Sequence, residues 1–118
     1  ANDEPLPSFI QISTCTNIYN IPLTHILYIE SHQKRTLLHT KTSSLLLPIP
    51  LYRITEMLPP ALFVQTHRSY LVNTAKIVKF KKERGRARIT LAAPSNKDLV
   101  VTPTHYRNIL SHLDSRSL

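Results

Sequence analysis

The sequence predicts a mostly β fold, in which small antiparallel sheets are accompanied by one or two short helices. Three observations lead to this prediction. Short apolar–polar segments follow one another along the chain, with prolines and polar turns between them. There is no strand–helix–strand alternation of the kind that builds a doubly wound parallel sheet. Only two segments carry apolar residues at helical spacing, and both are short.

Five strands are predicted in the first half of the chain. A short polar segment at 14–16 joins the first two, and Pro22 ends the second. Residues 31–34 form a polar connection between the third and fourth strands, and Pro48 ends the fifth. The five strands are predicted at residues 9–13, 17–21, 25–30, 35–40 and 44–47.

The first helix is predicted over residues 51–58. Pro50 suits its entry, because the donor that a proline lacks would be unpaired in the first turn. A pair of prolines after residue 58 ends it. The apolar side chains that share one face are Leu51, Ile54, Met57 and Leu58.

Four further strands, at residues 70–72, 77–81, 87–91 and 99–102, bring the predicted number to nine. The second and third of these form a hairpin around residues 83–86, where Gly85, the only glycine, suits a turn that needs positive φ. A last helix follows, with Thr102 as its cap and Pro103 in its first turn. Its predicted apolar face consists of Tyr106, Ile109, Leu110 and Leu113.

Length and composition indicate a single domain. Its 118 residues suffice for one core, and residues 1–8, with two prolines, read as a tail or the end of a linker before a domain at 9–118. The single cysteine excludes an internal disulfide and any cysteine-based zinc site, and it fits a reducing cytoplasm. No apolar run approaches the ~20 residues of a membrane span. The polar, acidic start does not resemble a signal peptide.

The charge of the chain favours a polyanionic partner. A net charge of +8 and a pI near 10 fit DNA, RNA or anionic lipid, although a basic domain that binds none of them is the alternative. Seven of the fifteen Lys and Arg residues fall between Lys76 and Arg88. This clustering favours binding over a merely basic composition.

Residues 63–73 carry the most specific motif, in which His67, Arg68 and Ser69 precede a strand-forming run. The stretch reads FVQTHRSYLVN. It resembles the signature F-x-R-x-H-R-S-Y-L-V-N of the LytTR DNA-binding domain family, except that Gln65 stands where the family usually has Arg. Weaker matches are ILYIES at residues 26–31, which resembles the family strand I-x-Y-[IF]-E-[AS], and the last strand at 99–102.

The resemblance implies sequence-specific binding of double-stranded DNA by the effector domain of a bacterial transcription regulator, through loops inserted into major grooves. Three connections are the expected base-contacting segments. For the first connection the alternative is a solvated turn. For the second it is a structural Arg68 that pairs with Glu30 or another acid. In the last connection the alignment leaves three residues open. The base-contact candidates are Lys34, Arg35, Arg68, Thr104, His105 and Arg107.

A second set of residues suits the DNA backbone. Charged side chains on a hairpin tip are solvated and flexible, so they fit phosphates better than base edges. Their alternative role is a charged sheet edge that prevents aggregation. Asn73 fits a turn or capping role. The phosphate-contact candidates are His67, Ser69, Lys79, Lys81, Lys82, Arg84 and Arg86.

Enzyme and metal sites find little support. The six histidines include no zinc-finger spacing and no H-E-x-x-H motif, and His25 and His39 fit ordinary strand positions. Ser69 lies two residues from His67, but no G-x-S-x-G elbow is present. We expect no catalytic residue, metal or cofactor. Two alternatives stay open: a basic RNA-binding module, and a small nuclease that uses His67 with another histidine.

The family resemblance also implies partners. LytTR modules commonly follow a phospho-receiver domain of a two-component system, and such regulators typically bind direct repeats in promoters as adjacent pairs. This chain has no room for a receiver domain and no coiled-coil heptads. The sequence therefore predicts a domain that is monomeric when isolated and paired on DNA.

Overall fold

The computed structural model describes residues 9–83, 86–91 and 98–116, without the side chains of 83, 86 and 110–116. This part of the chain confirms a mostly β fold of small antiparallel sheets with two helices. The strands are β1 (Phe9–Ser13), β2 (Ile18–Pro22), β3 (Ile26–His32), β4 (Arg35–Thr40), β5 (Ser44–Leu47), β6 (Phe63–His67), β7 (Tyr70–Asn73), β8 (Ile77–Glu83), β9 (Arg86–Leu91) and β10 (Asp98–Val101). The helices are α1 (Leu51–Met57) and α2 (Pro103–Arg116), and 3-10 turns lie at Leu23–His25 and Thr74–Lys76.

The strands form three antiparallel sheets. β1 and β2 pair as a two-stranded ribbon, and β8, β9 and β10 form a three-stranded sheet with β9 in the middle. The central sheet has five strands in the order β5-β4-β3-β7-β6. Because successive side chains of a strand point to opposite faces, this sheet contributes apolar groups to two cores.

The first core lies between the five-stranded sheet, the β1–β2 ribbon and α1. Ile29, Leu38 and Leu71, which are paired across β3, β4 and β7, supply the sheet side of this core. From α1, Ile54 is fully buried, as apolar residues at helical spacing on one face predict. Met57 was predicted on that face but is 41% exposed, because it ends the helix at the margin of the apolar stripe.

The second core lies between the opposite face of the sheet, the three-stranded sheet and α2. Val64 and Val72 supply the sheet side, and Ile109 enters from α2. The predicted apolar face of α2 is confirmed for Ile109 and for Tyr106, which packs against this core. The side chains of Leu110 and Leu113 lie outside the described part.

One strand was missed by sequence analysis. Phe63–His67 forms β6, so the described chain contains ten strands rather than the nine predicted. Phe63, Val64 and Thr66 of β6 are all buried, so the segment lacks the apolar–polar alternation that reveals a half-buried strand. His67 therefore ends one strand, and Arg68 and Ser69 form the turn to β7.

Several other boundaries differ from the prediction by one or two residues, and the third strand shows the clearest difference. The third strand begins at Ile26 rather than His25, which belongs to a 3-10 turn, and it continues through His32. Of the predicted polar connection 31–34, only Gln33 and Lys34 form the turn. Pairing with β4 and β7 continues the strand beyond its apolar part, which the residue types alone do not indicate.

The basic hairpin is confirmed, with Glu83 paired to Arg86 across β8 and β9. Lys81 and Lys82, expected at a flexible tip, lie within strand β8 instead, because the pairing extends to the last residues before the turn. The proposed roles of Arg84 and Gly85 fall outside the described residues.

Candidate nucleic-acid interface

Two of the predicted connections lie side by side at one end of the five-stranded sheet. Glu30 of β3 pairs with Tyr70 of β7, and one residue beyond this pair the Ser31 N–H donates to the Ser69 carbonyl oxygen at 2.8 Å. The β3–β4 turn and the β6–β7 turn are thereby held together. We call this end of the sheet the loop edge. It comprises residues 33–35, 67–69 and 102–107.

The first connection is a tight turn that carries two exposed cations. His32 pairs with Arg35, so only Gln33 and Lys34 lie between the strands. Gln33 has a φ of 61°, in the left-handed region that few non-glycine residues adopt. Its carbonyl oxygen accepts a hydrogen bond from Ser31 Oγ at 3.4 Å. Lys34 and Arg35 are both exposed at this turn.

The second connection is held by its neighbours and leaves the Arg68 side chain exposed. The Ser69 N–H donates to Nδ1 of His67 at 3.1 Å, which places any ring proton of a neutral His67 on Nε2. Gln65 Nε2 donates to the Arg68 carbonyl oxygen at 3.2 Å. The backbone of the turn is therefore fixed on both sides, and the guanidinium extends from a defined position.

Glu30 does not serve as the partner of Arg68. Its Oε1 lies 2.7 Å from His39 Nε2. The exposed Arg68 is therefore not paired with Glu30 in the described structure.

The third connection joins the same edge through β6. The Thr102 N–H donates to the Thr66 carbonyl oxygen at 3.0 Å, so α2 begins beside the end of β6. Thr104 and Arg107 are exposed and lie on one side of the helix, since residues three apart are neighbours on its surface. His105 is half-buried and differs from both: its Nδ1 lies 2.8 Å from Thr102 Oγ1.

Thr102 occupies the N-cap position of α2, as predicted, but its hydroxyl contacts the His105 ring. The His105 backbone N–H donates to the Thr102 carbonyl oxygen at 3.0 Å. One ring nitrogen of His105 is thus occupied by its contact with the Thr102 hydroxyl. Among the three candidates in this connection, Thr104 and Arg107 have the more accessible side chains.

The basic hairpin also approaches this edge. Ala87 pairs with both Lys82 and Val101, which places Lys82 level with the residue that precedes Thr102. Lys81 and Lys82 are exposed. Lys79 is exposed too, but it lies three residues further from the tip, about 10 Å along the strand. The Arg84 residue and the Arg86 side chain lie outside the described part.

The three connections contain no acidic residue. Within the described chain, Glu30 contacts His39, and Asp98 accepts a hydrogen bond from Thr90 Oγ1 at 2.7 Å. The loop edge therefore presents cations and hydroxyl groups without carboxylates between them. Such a surface attracts phosphates and can also offer donors to base edges.

A polar network on the face of the sheet was missed by sequence analysis. His39 Nδ1 lies 2.8 Å from Ser44 Oγ, and His39 Nε2 lies 2.7 Å from Glu30 Oε1. The His39 ring stacks on Tyr28, with the ring centroids 4.3 Å apart. The Ser–His–Glu order is that of a hydrolase triad, but the two ring nitrogens exchange the roles they have in a serine protease. Only the pairing of β3, β4 and β5 reveals this contact. Among the residues that the structure describes, no group of three His, Cys, Asp or Glu could hold a metal.

Tyr28 lies under this network and gives the domain a specific response to alkali. Burial, followed by the charges of Glu30 and Tyr70, raises the pKa of Tyr28 from 10.0 to about 12. Tyr28 therefore ionises at a lower pH in the unfolded chain than in the folded one. The stability that the neutral, buried Tyr28 contributes is complete below pH 10 and is lost as the pH rises towards 12. By about pH 11 the wild type should lose about 1 kcal/mol more than Tyr28→Phe. Urea unfolding at about pH 9 and about pH 11 measures the difference; equal losses would contradict it.

No helix in the described residues is long and apolar enough to cross a membrane.

The fold of the chain is found in a solved structure. The chain shares its fold with the LytTr DNA-binding domain of a methyl-accepting/DNA response regulator from Bacillus cereus, with a TM-score of 0.74 and 18% identity over 91% of this chain and 97% of that one.

Sequence comparison finds shorter but closer matches. The transcriptional regulatory protein YpdB of Escherichia coli K12 and that of Shigella flexneri are each 38% identical over 56 residues, which is 48% of this chain and 23% of the relative. The matched segment is thus less than a quarter of the length of those regulators. The profile of the LytTr DNA-binding domain matches residues 16–114, which include all three connections of the loop edge. The chain belongs to the LytTr DNA-binding domain family.

Proposed function

We propose that this domain binds double-stranded DNA sequence-specifically, with the loop edge inserted into major grooves, as the effector of a bacterial transcription regulator. One observation carries the proposal. The Ser31–Ser69 and Thr102–Thr66 backbone hydrogen bonds bring three connections without acidic residues to one edge of the sheet.

The roles follow from where each side chain is held. Arg68 extends from a turn that three hydrogen bonds fix, which suits a two-bond contact with guanine. Lys34, Arg35 and the exposed pair Thr104 and Arg107 supply further base contacts. Support for His105 is weaker, because its ring contacts the Thr102 hydroxyl and is half-buried. Phosphate contacts are assigned to His67, Ser69, Lys79, Lys81, Lys82, Arg84 and Arg86, with Lys82 favoured over Lys79 by its position.

The partners are inferred from the same relatives. Because the matched curated relatives are transcriptional regulatory proteins about four times as long as the matched segment, we propose that a receiver domain accompanies this one in a longer cytoplasmic regulator. The isolated domain is then monomeric, as sedimentation at micromolar concentration would detect, and pairs on direct repeats in promoter DNA. Its role is binding, without catalysis or a cofactor.

Labelled duplex DNA and RNA, incubated with the domain in the absence of added metal, separate the three classes of function. The proposal predicts that DNA from a selected library is retarded in a gel and stays intact, and that RNA competes poorly. RNA that binds more tightly than DNA would support the RNA-binding alternative. Cleavage of RNA that the variant His67→Ala abolishes would support the nuclease and overturn the binding role.

A further inference from the structure

The first turn of α1 lies at the loop edge, although no motif assigns it a role there. Thr36 follows Arg35 in β4, and its fully buried hydroxyl donates to the Ile49 carbonyl oxygen at 2.7 Å. Ile49 lies two residues before α1 begins. The chain therefore enters this helix directly beside the β3–β4 turn.

Tyr52 is the aromatic side chain that this turn presents to solvent. Its neighbours Leu51 and Ile54 are buried in the first core, whereas Tyr52 is 67% exposed. Single exposed aromatic residues are common and do not by themselves indicate a binding site. The position of Tyr52 is informative, because Tyr52, Gln65 and Arg68 line the same open cavity of about 200 Å³.

We propose that the α1 turn is a part of the DNA-binding surface. The Tyr52 hydroxyl then donates to a backbone phosphate that borders the groove into which Arg68 extends. The inference rests on the proposed function. Tyrosine hydroxyls are among the groups that contact DNA phosphates, and such contacts set the register of a protein on the duplex. Because Tyr52 and Arg68 line the same cavity, both side chains can meet the same stretch of the duplex.

A contact between the Tyr52 hydroxyl and a phosphate can be distinguished by experiment from a contact between a lysine and a phosphate. A tyrosine hydroxyl is uncharged at neutral pH, so it displaces no counterion when it meets a phosphate. Loss of Tyr52 should therefore lower affinity without changing the salt dependence of binding. It should also act on cognate and scrambled duplexes alike, because a phosphate carries no sequence information.

The test compares the variants Tyr52→Phe, Tyr52→Ala and Met57→Ala. Tyr52→Phe removes only the hydroxyl. Met57 provides the control, since it is also exposed on α1, at 41%, but lies about 7.5 Å further along the helix axis. Affinities for a selected and a scrambled duplex are measured by fluorescence anisotropy at several salt concentrations, and circular dichroism checks folding.

We expect Tyr52→Phe to weaken both duplexes by about 3- to 10-fold with an unchanged salt slope. Tyr52→Ala should be at least as weak, and Met57→Ala should remain within about two-fold of the wild type. A folded Tyr52→Phe that binds like the wild type, or a loss confined to the selected duplex, would overturn the contact while the proposed function stands. A wild-type domain that binds no duplex would overturn the proposed function as well.

Discussion

Replacement of Arg68 by alanine should weaken binding to the selected duplex by about 1–3 kcal/mol and relax the preference at one base position. The structure gives the reason. Hydrogen bonds from Ser31, Gln65 and Ser69 fix the turn, so the exposed guanidinium extends from a backbone that needs no reordering on binding. The planar guanidinium offers two parallel donors to the two acceptors of guanine, which a lysine ammonium does not.

Lys82→Ala is the matched variant, because it also removes one exposed positive charge near the loop edge. It should weaken selected and scrambled duplexes alike and reduce the salt slope by about one unit. Both variants are titrated with both duplexes at several salt concentrations. If Arg68→Ala stays folded and weakens both duplexes equally, Arg68 contacts phosphate and its role in base recognition fails. If it unfolds the domain, the arginine is structural.

Replacement of Asn73 by alanine should lower the free energy of unfolding by about 2–4 kcal/mol. Asn73 is 1% exposed, and its amide donates to the carbonyl oxygens of Leu23 at 3.3 Å and Ile26 at 2.9 Å. Its Oδ1 accepts the Ala75 N–H at 3.0 Å. Alanine would leave these groups buried without their partner, which costs more than the loss of an exposed hydrogen bond.

Urea unfolding of Asn73→Ala and of Asn20→Ala measures this difference. Asn20 carries the same amide, but it is exposed and bonds to the exposed Gln11 at 3.2 Å. We expect its replacement to cost no more than about 0.5 kcal/mol. Similar losses in the two variants would mean that the buried network around Asn73 contributes little to stability.

Sequence patterns predicted the bounds of a strand or helix correctly where residues within that element determine its structure. The strands at Phe9–Ser13, Arg35–Thr40 and Ser44–Leu47 have the predicted bounds, and α1 begins at Leu51 after Pro50. Apolar spacing and proline act locally, so they are visible without the rest of the fold. The role of Asn73 as a capping residue is confirmed for the same reason.

Features that depend on pairing between distant segments were not predictable. Strand β6 is covered on both faces, so Phe63–His67 shows no alternation. The contact between Glu30 and His39 comes from the register of β3 and β4, and so does the extension of β3 to His32. A single sequence does not specify which strands become neighbours, and these contacts follow from that choice.

The candidate interface was likewise only partly predictable from the sequence. The residues of the three connections were identified from the family motif and from their charge. Their meeting at one edge depends on the Ser31–Ser69 and Thr102–Thr66 hydrogen bonds, which no local pattern indicates. The place of Tyr52 beside Arg68 likewise depends on how α1 packs against the sheet.

Titration of the ¹⁵N-labelled domain with its selected duplex, followed by amide chemical shifts, tests most directly whether the loop edge is the DNA-binding surface. Thr40 pairs with Ile26, so the β4–β5 turn at residues 41–43 lies about 20 Å from the β3–β4 turn, at the other end of the sheet. We expect the largest shifts at residues 33–35, 67–69 and 102–107 and small ones at 41–43. Large shifts at 41–43 with an unaffected loop edge would contradict the proposed interface.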